Sequence, residues 1–190
     1  MQKPSTEAFF IGVGVALALA GSAATAAPNA MQPSDDGAHV IDERAKLVWA
    51  RCVEGMQWDG KTCTGTPQLM SHAQASALAA SRSKAEGLRW RLPRANELRR
   101  LVDKTAKPPG LDATLFPAAP VDWHWSSTVN VNPESVNPYN YGNVMRGRST
   151  ENAGNTTFLL GWAIYLGAGE ARADVPKSTR LVVRLVRTQE

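Results

Sequence analysis

Few residues in this 190-residue chain have the types and spacing to do chemistry. Cys52 and Cys63 are its only cysteines. In an oxidising compartment such a pair is expected to close a disulfide, and so short a loop contributes roughly 3 kcal/mol by restricting the unfolded chain. The three histidines, His39, His72 and His124, are spread along the chain without the spacing of a metal site. Asn132-Pro133-Glu134 resembles a calcium-lectin triplet in the wrong order, and one glutamate among asparagines is a poor anion count for calcium. No metal and no cofactor are therefore expected. Asp122, His124 and Ser126 stand together, but a triad needs a nucleophile and a base meeting in space, and adjacent strand residues face opposite sides. The chain also lacks a Gly-x-Ser-x-Gly elbow. It is expected not to be an enzyme; a hydrolase would require an acid pair or a Ser-His pair in one cleft.

Binding chemistry is better represented. Trp90-Arg91-Leu92-Pro93 holds an indole that could stack on a sugar and a guanidinium fork that could grip a carboxylate or sulfate. Its place between two helical patterns favours a structural role instead, with Arg91 pairing to Glu97 or Asp103. In Trp123-His124-Trp125-Ser126-Ser127, strand alternation puts both tryptophans on one face, assigned to the core, and His124 on the other. The segment 130–157 differs in composition: it is rich in asparagine, glycine and proline, with Tyr139, Asn140, Tyr141, Arg146 and Arg148 and little aliphatic content. It reads as a long loop. Those five residues could bind a ligand by stacking, adaptable hydrogen bonds and charge, and a solvated insertion without a ligand is the equal alternative.

The elements that must position these residues follow from periodicity. Leu47 to Cys52 is rich in β-formers, and the Asp59-Gly60 turn before Cys63 suggests a disulfide-bridged hairpin or loop. A first helix is expected over Pro67–Glu86, with Leu69, Met70, Ala73, Ala77 and Leu78 at helical spacing and Gly87 as its stop. A second is expected over Arg94–Lys104, where Leu98, Leu101 and Val102 face inward and Pro93 suits the first turn. Strands follow at Trp123–Val129, at Phe158–Leu166 and, after a Gly167-Ala168-Gly169 turn, at Glu170–Ala173. In the last run Leu181, Val183 and Leu185 share one face, and Val182, Arg184 and Val186 the other.

The N-terminus reads as an export label: Lys3, an apolar run from Phe9 to Ala20, then small residues ending at Ala24-Thr25-Ala26. The run is shorter than the roughly 20 residues needed to cross a bilayer. Residues 1–26 are thus expected to be a signal peptide cut before Ala27, 27–38 a flexible leader, and 39–190 one domain in the periplasm or at the cell surface, with no membrane span after cleavage. The net charge of +4 is mild, and the basic residues are scattered. It favours an anionic polysaccharide or an envelope protein as partner over nucleic acid, which suits an exported chain poorly.

The ordered motifs together resemble one family. They are Trp49-x-Arg51-Cys52; Gly55-x-x-Trp58-x-Gly60-x-x-Cys63-x-Gly65; Trp90-Arg91-Leu92-Pro93-x-x-x-Glu97-Leu98-x-x-Leu101-Val102-Asp103; Phe116-Pro117; Trp125-Ser126-Ser127; and Val183-Arg184-Leu185-Val186-Arg187. From about residue 42 onward the chain is similar to the Lcl C-terminal domain family, named from the last domain of bacterial collagen-like adhesins. The resemblance implies an α+β domain akin to the C-type lectin-like and sulfatase-modifying-factor folds, with two helices on a small twisted antiparallel sheet. Trp49, Trp58, Trp90, Arg91, Leu92, Pro93, Glu97, Leu98, Trp125 and Arg184 would be its structural motif. The named adhesins use theirs on sulfated polysaccharides and glycosaminoglycans, and the resemblance implies a non-enzymatic, adhesion-type module recognising a polysaccharide or glycosaminoglycan-like ligand or a surface partner, the alternative being a structural or assembly component of an envelope or appendage complex. The chain departs from the family in carrying His72 where members often have tryptophan, in lacking a collagen-like stretch, and in its enlarged segment 130–157.

Overall fold

The computed structural model describes residues 31–129 and 159–189. Their fold is α+β: two helices, several small antiparallel sheets and one disulfide. β1 (Met31–Pro33), β2 (His39–Asp42), β3 (Leu47–Ala50) and β11 (Val186–Thr188) form one sheet in the order β1-β2-β3-β11. A second sheet, β10-β9-β8, is built from β8 (Trp123–Trp125), β9 (Leu160–Tyr165) and β10 (Glu170–Pro176). Two small pairs complete the set, β4 (Met56–Trp58) with β5 (Cys63–Gly65), and β6 (Val102–Asp103) with β7 (Gly110–Leu111). β1 lies inside the stretch expected to be a leader, pairing Met31 with Asp42 and Pro33 with Val40, so folded structure reaches further back than His39.

α1 (His72–Glu86) begins later than the expected Pro67. Ser71 caps it in a box, its hydroxyl accepting from Gln74 N while the Gln74 side chain accepts from Ser71 N. Just upstream, Met70 exchanges both backbone bonds with Leu181 at 3.0 Å, which commits it to extended geometry. The helix buries Ala75 and Ala79 with Leu78 packed beside them, whereas Ala73 and Ala77 are exposed, so the inward face keeps the expected Leu78 but uses alanines two residues on from those expected. Gly87 ends it in the left-handed conformation, as its position suggested. α2 (Ala95–Leu101) stops before the expected Lys104 because Val102 and Asp103 pair with Leu111 and Gly110. Pro93 precedes the Arg94 N-cap instead of entering the first turn, and Leu98, Leu101 and Val102 are buried as the spacing required.

β8 is shorter than the expected Trp123–Val129. After Trp125 the backbone turns toward α2: Ser127 N donates to Pro93 O at 2.7 Å, and Ala95 N donates to the Thr128 hydroxyl at 2.9 Å. β9 matches its expected position to within two residues, and β10 extends to Pro176 through an irregularity between Arg172 and Val175.

The core has two parts. One gathers Val40, Trp49, Leu98, Leu101, Phe116, Ile164, Leu166 and Val186 beneath α2. The other gathers Trp90, Leu92, Trp125, Ala163, Val183 and Leu185 beneath α1. The run 182–186 passes between them, buried at every position. It bonds to β3 (Ala50 N to Leu185 O, 3.0 Å), to β8 (Trp125 N to Val182 O, 3.1 Å) and to Arg91 (Arg91 N to Val186 O, 2.9 Å).

Candidate functional site

The disulfide organises a cleft. Cys52 follows β3 and Cys63 opens β5, so the bridge ties the β4–β5 hairpin to the main sheet and does not cross the hairpin itself, a refinement of the hairpin-or-loop expectation. Asp59 closes the hairpin turn, its carboxylate accepting from Lys61 N and Thr62 N at 2.8 Å each. Gly55 enters the hairpin at φ +88°, where a Cβ would stand 2.5 Å from Gln68 N and Thr66 O, so no side chain fits. Trp58 on β4 becomes one wall. Its ring carries the Arg51 guanidinium 4.0 Å from the ring centre. That guanidinium is clamped by the carbonyls of Gly37, Thr114 and Leu115 at 2.7–3.0 Å.

α1 supplies the polar side. Arg82 donates to both oxygens of Glu54, at 2.8 and 3.3 Å, and its Nε lies 3.6 Å from Glu86. One turn on, Glu86 accepts from the Trp90 indole N–H at 2.5 Å. Trp90 is buried, with His39 stacked on it at 5.6 Å and Arg187 5.5 Å from its ring centre. The result is a cleft of about 200 Å³ lined by His39, Glu54, Trp58, Arg82, Glu86 and Trp90, with Ala38, Ala50, Cys52, Val53 and Met56 completing its surface. Burial raises the Glu54 carboxyl above the usual range; Arg82 opposes the shift and Glu86 adds to it.

A second feature is the outer side of α2 and its flanks. Arg89, Arg99, Arg100, Lys104 and Lys107 are all exposed, and among the described residues none has an acidic partner within ion-pair distance. The nearby acids are otherwise engaged. Glu97 holds Arg91 through two bonds of 2.8 Å and accepts from Arg94 N at 2.7 Å, while Asp103 accepts from Thr105. Burial alone would raise the Glu97 carboxyl, but Arg91 and the Arg94 N–H more than offset it and lower its pKa. Arg100 also borders a cavity of about 270 Å³ with Met31, Asp42, Arg44 and Ala45.

The sequence motifs largely serve the frame. Trp49 lies in the first core, Leu92 and Pro93 are buried, and the Trp125 indole donates to Met70 O at 2.8 Å. Arg91 chooses Glu97 over Asp103. Both tryptophans join the second core, as assigned: Trp125 is wholly buried, and Trp123, half-buried, packs against the same cluster with Tyr165 at 5.6 Å and the Arg172 guanidinium at 5.1 Å. Arg184 is also fully buried. Its Nη1 donates to Ala50 O and Arg51 O at 2.7 and 2.6 Å, its guanidinium lies 4.7 Å from the Phe116 ring centre, and Nε and Nη2 find no partner among the described residues. Burial pulls its pKa down to about 9, still charged at neutral pH.

His124 is equally buried, so both faces of β8 are covered. Alternate strand residues share a side, so alternation does not separate Asp122, His124 and Ser126; their bonding does. His124 Nδ1 meets the backbone carbonyl of Asp122 at 3.0 Å, and Ser126 Oγ accepts from Thr128 N at 3.0 Å. Burial first, and the Arg184 charge second, push the His124 pKa down to about 3. His72 opens α1, its Nε2 3.2 Å from Ser126 O and its ring edge-on to Trp125 at 5.3 Å. Tyr139, Asn140, Tyr141, Arg146 and Arg148, together with residues 1–30, lie outside the described residues.

The cleft's polar half was not singled out from the sequence. Its only local trace is spacing: Arg82, Glu86 and Trp90 recur every four residues. Among the described residues there is no group of three or more His, Cys, Asp or Glu able to hold a metal, and no helix long and apolar enough to cross a membrane.

Fold and site together define a disulfide-pinned α+β domain whose motif residues brace two helices against several small antiparallel sheets. The family model described as the Lcl C-terminal domain matches residues 38–187. The chain belongs to the Lcl C-terminal domain family. No curated protein and no solved structure matches it.

Proposed function

We propose that this chain is an exported, non-catalytic binding module of C-type lectin-like build that recognises an anionic, glycosaminoglycan-like polysaccharide in adhesion. The observation that carries this reading is the set of exposed cations on and beside α2, Arg89, Arg99, Arg100, Lys104 and Lys107, left without acidic partners among the described residues. Unpaired guanidinium forks favour sulfate and carboxylate groups, and α2 presents two of them about 100° apart around its exposed side. Tyr139, Asn140, Tyr141, Arg146 and Arg148 are proposed, on sequence grounds, to add contacts. Export rests on the N-terminal pattern and on the disulfide, which persists in oxidising compartments.

The cleft does bring two acids together, as a hydrolase would need. Both are engaged as acceptors, Glu54 by Arg82 and Glu86 by Trp90, an arrangement suited to holding shape more than to moving protons.

Heparin-column retention of the mature protein tests the reading. It should bind at low salt and elute as salt rises, and Arg99→Glu/Arg100→Glu should elute at clearly lower salt with an unchanged melting temperature. Equal retention of the double variant would remove the α2 face from the proposal. Capture of an envelope protein that added polysaccharide does not compete away would favour an assembly role instead.

A further inference from the structure

The cleft beside the disulfide differs in character from the cationic face of α2. Its volume, about 200 Å³, lies below the ~300 Å³ at which drug-sized sites begin. It accommodates one ring-sized group, and a longer chain would have to continue across the mouth.

The polar groups are fixed before any ligand arrives. Glu54 is planted by its backbone, with N donating to Val183 O at 2.9 Å and O accepting from Gln68 N at 2.8 Å. Its carboxylate holds Arg82, and Glu86 holds both the Trp90 indole and, more loosely, Arg82. Groups that lock one another lose little rotamer freedom on binding. The Trp58 wall is held by the disulfide hairpin and by Gly37, where a Cβ would come within 2.9 Å of the indole nitrogen.

Charge narrows the occupant. A sulfate or uronate entering the cleft would meet two carboxylates. A cation would meet Arg82 between them, and rings already faced by Arg51, Arg82 and Arg187. A neutral ring bearing hydroxyls meets no charge conflict: its C–H groups can pack against Trp58, the half-buried indole of the lining, and its hydroxyls can donate to Glu86 and accept from Arg82 at the mouth.

We propose that the cleft lined by His39, Glu54, Trp58, Arg82, Glu86 and Trp90 is a separate subsite for a single neutral pyranose unit. The proposal does not rest on the α2 reading, because the two sites lie on different elements and answer to different probes.

Titration of ¹⁵N-labelled mature protein with methyl glycosides of neutral pyranoses at millimolar concentration tests it. The indole N–H signals of Trp58 and Trp90 should shift saturably with at least one glycoside. Ala38→Leu, which fills the cleft from its half-buried lining, should weaken that response at least 10-fold and leave heparin retention unchanged. Arg99→Glu/Arg100→Glu should do the reverse. Should Ala38→Leu fold poorly, Trp58→Phe serves instead, with a loss of about threefold or more expected. The proposal is overturned if neither indole responds to any glycoside, if the folded blocking variant responds like the parent, or if sulfate or methylammonium shifts the same signals at lower concentration.

Discussion

Two buried polar side chains, Arg184 and His124, sit where most domains of this size would place aliphatic groups. Arg184 holds the carbonyls of Ala50 and Arg51, so it joins the end of β3 to the C-terminal run from inside the protein. His124 stays neutral chiefly because burial strips a charged ring of water, and the Arg184 charge in the same interior adds to that cost. Its folded pKa, about 3, lies below the ordinary 6.5, so the folded state binds fewer protons than the unfolded one. The stability due to neutral His124 is complete above about pH 6.5 and is lost as pH falls toward 3. Urea unfolding midpoints should therefore decline between pH 6.5 and 4 in the parent protein and decline less steeply in His124→Leu. Glu97 acts in a lower window. Its carboxyl is lowered from 4.5, so its contribution is present above that value and disappears as pH falls through the folded pKa. Glu97→Gln removes charge-assisted bonds to Arg91 and the α2 cap, and should cost about 1–3 kcal/mol at pH 7 by urea denaturation.

At the scale of elements, local signals predicted the pieces well and their ends poorly. Gly87 stopped α1 and the Asp59-Gly60 pair closed a hairpin, because those residues act on their own backbone. The end of α2 was set by the nearby Leu111, through a two-residue ladder with Val102 and Asp103 too short to show an alternating pattern. The start of α1 and the length of β8 were set by partners far away in sequence, Leu181 for Met70 and Pro93 for Ser127, which no local window brings together. The same reason hid the cleft, since Glu54 and Arg82 meet only once α1 has docked on the β4–β5 region. Arg91 with Glu97 was legible because a short helix entry separates them. The disulfide is the covalent counterpart of these distant contacts. Cys52→Ser/Cys63→Ser should lose about 3 kcal/mol, seen as a lower urea midpoint, and reducing agent should lower the parent to a similar value. Because Trp58 belongs to the hairpin so tethered, its fluorescence should change at lower urea in the double variant.

For the molecule as a whole, one run of five residues ties everything together. Residues 182–186 bond to β3, β8 and Arg91, and their side chains enter both halves of the core. A chain ending before Leu181 should show no cooperative thermal transition and no near-ultraviolet circular dichroism, even with the disulfide intact, since both cores would lose their shared wall. The cationic helix and the disulfide cleft hang from this frame on opposite core halves, α2 above one and α1 beside the other.

That arrangement has a consequence for how the protein acquires its shape. The wall shared by both cores meets β3 and Arg91 only across long stretches of intervening chain, so neither core can close before a large loop has been ordered. Until then apolar surface stays open to solvent, and the domain is slow to fold and prone to association on the way.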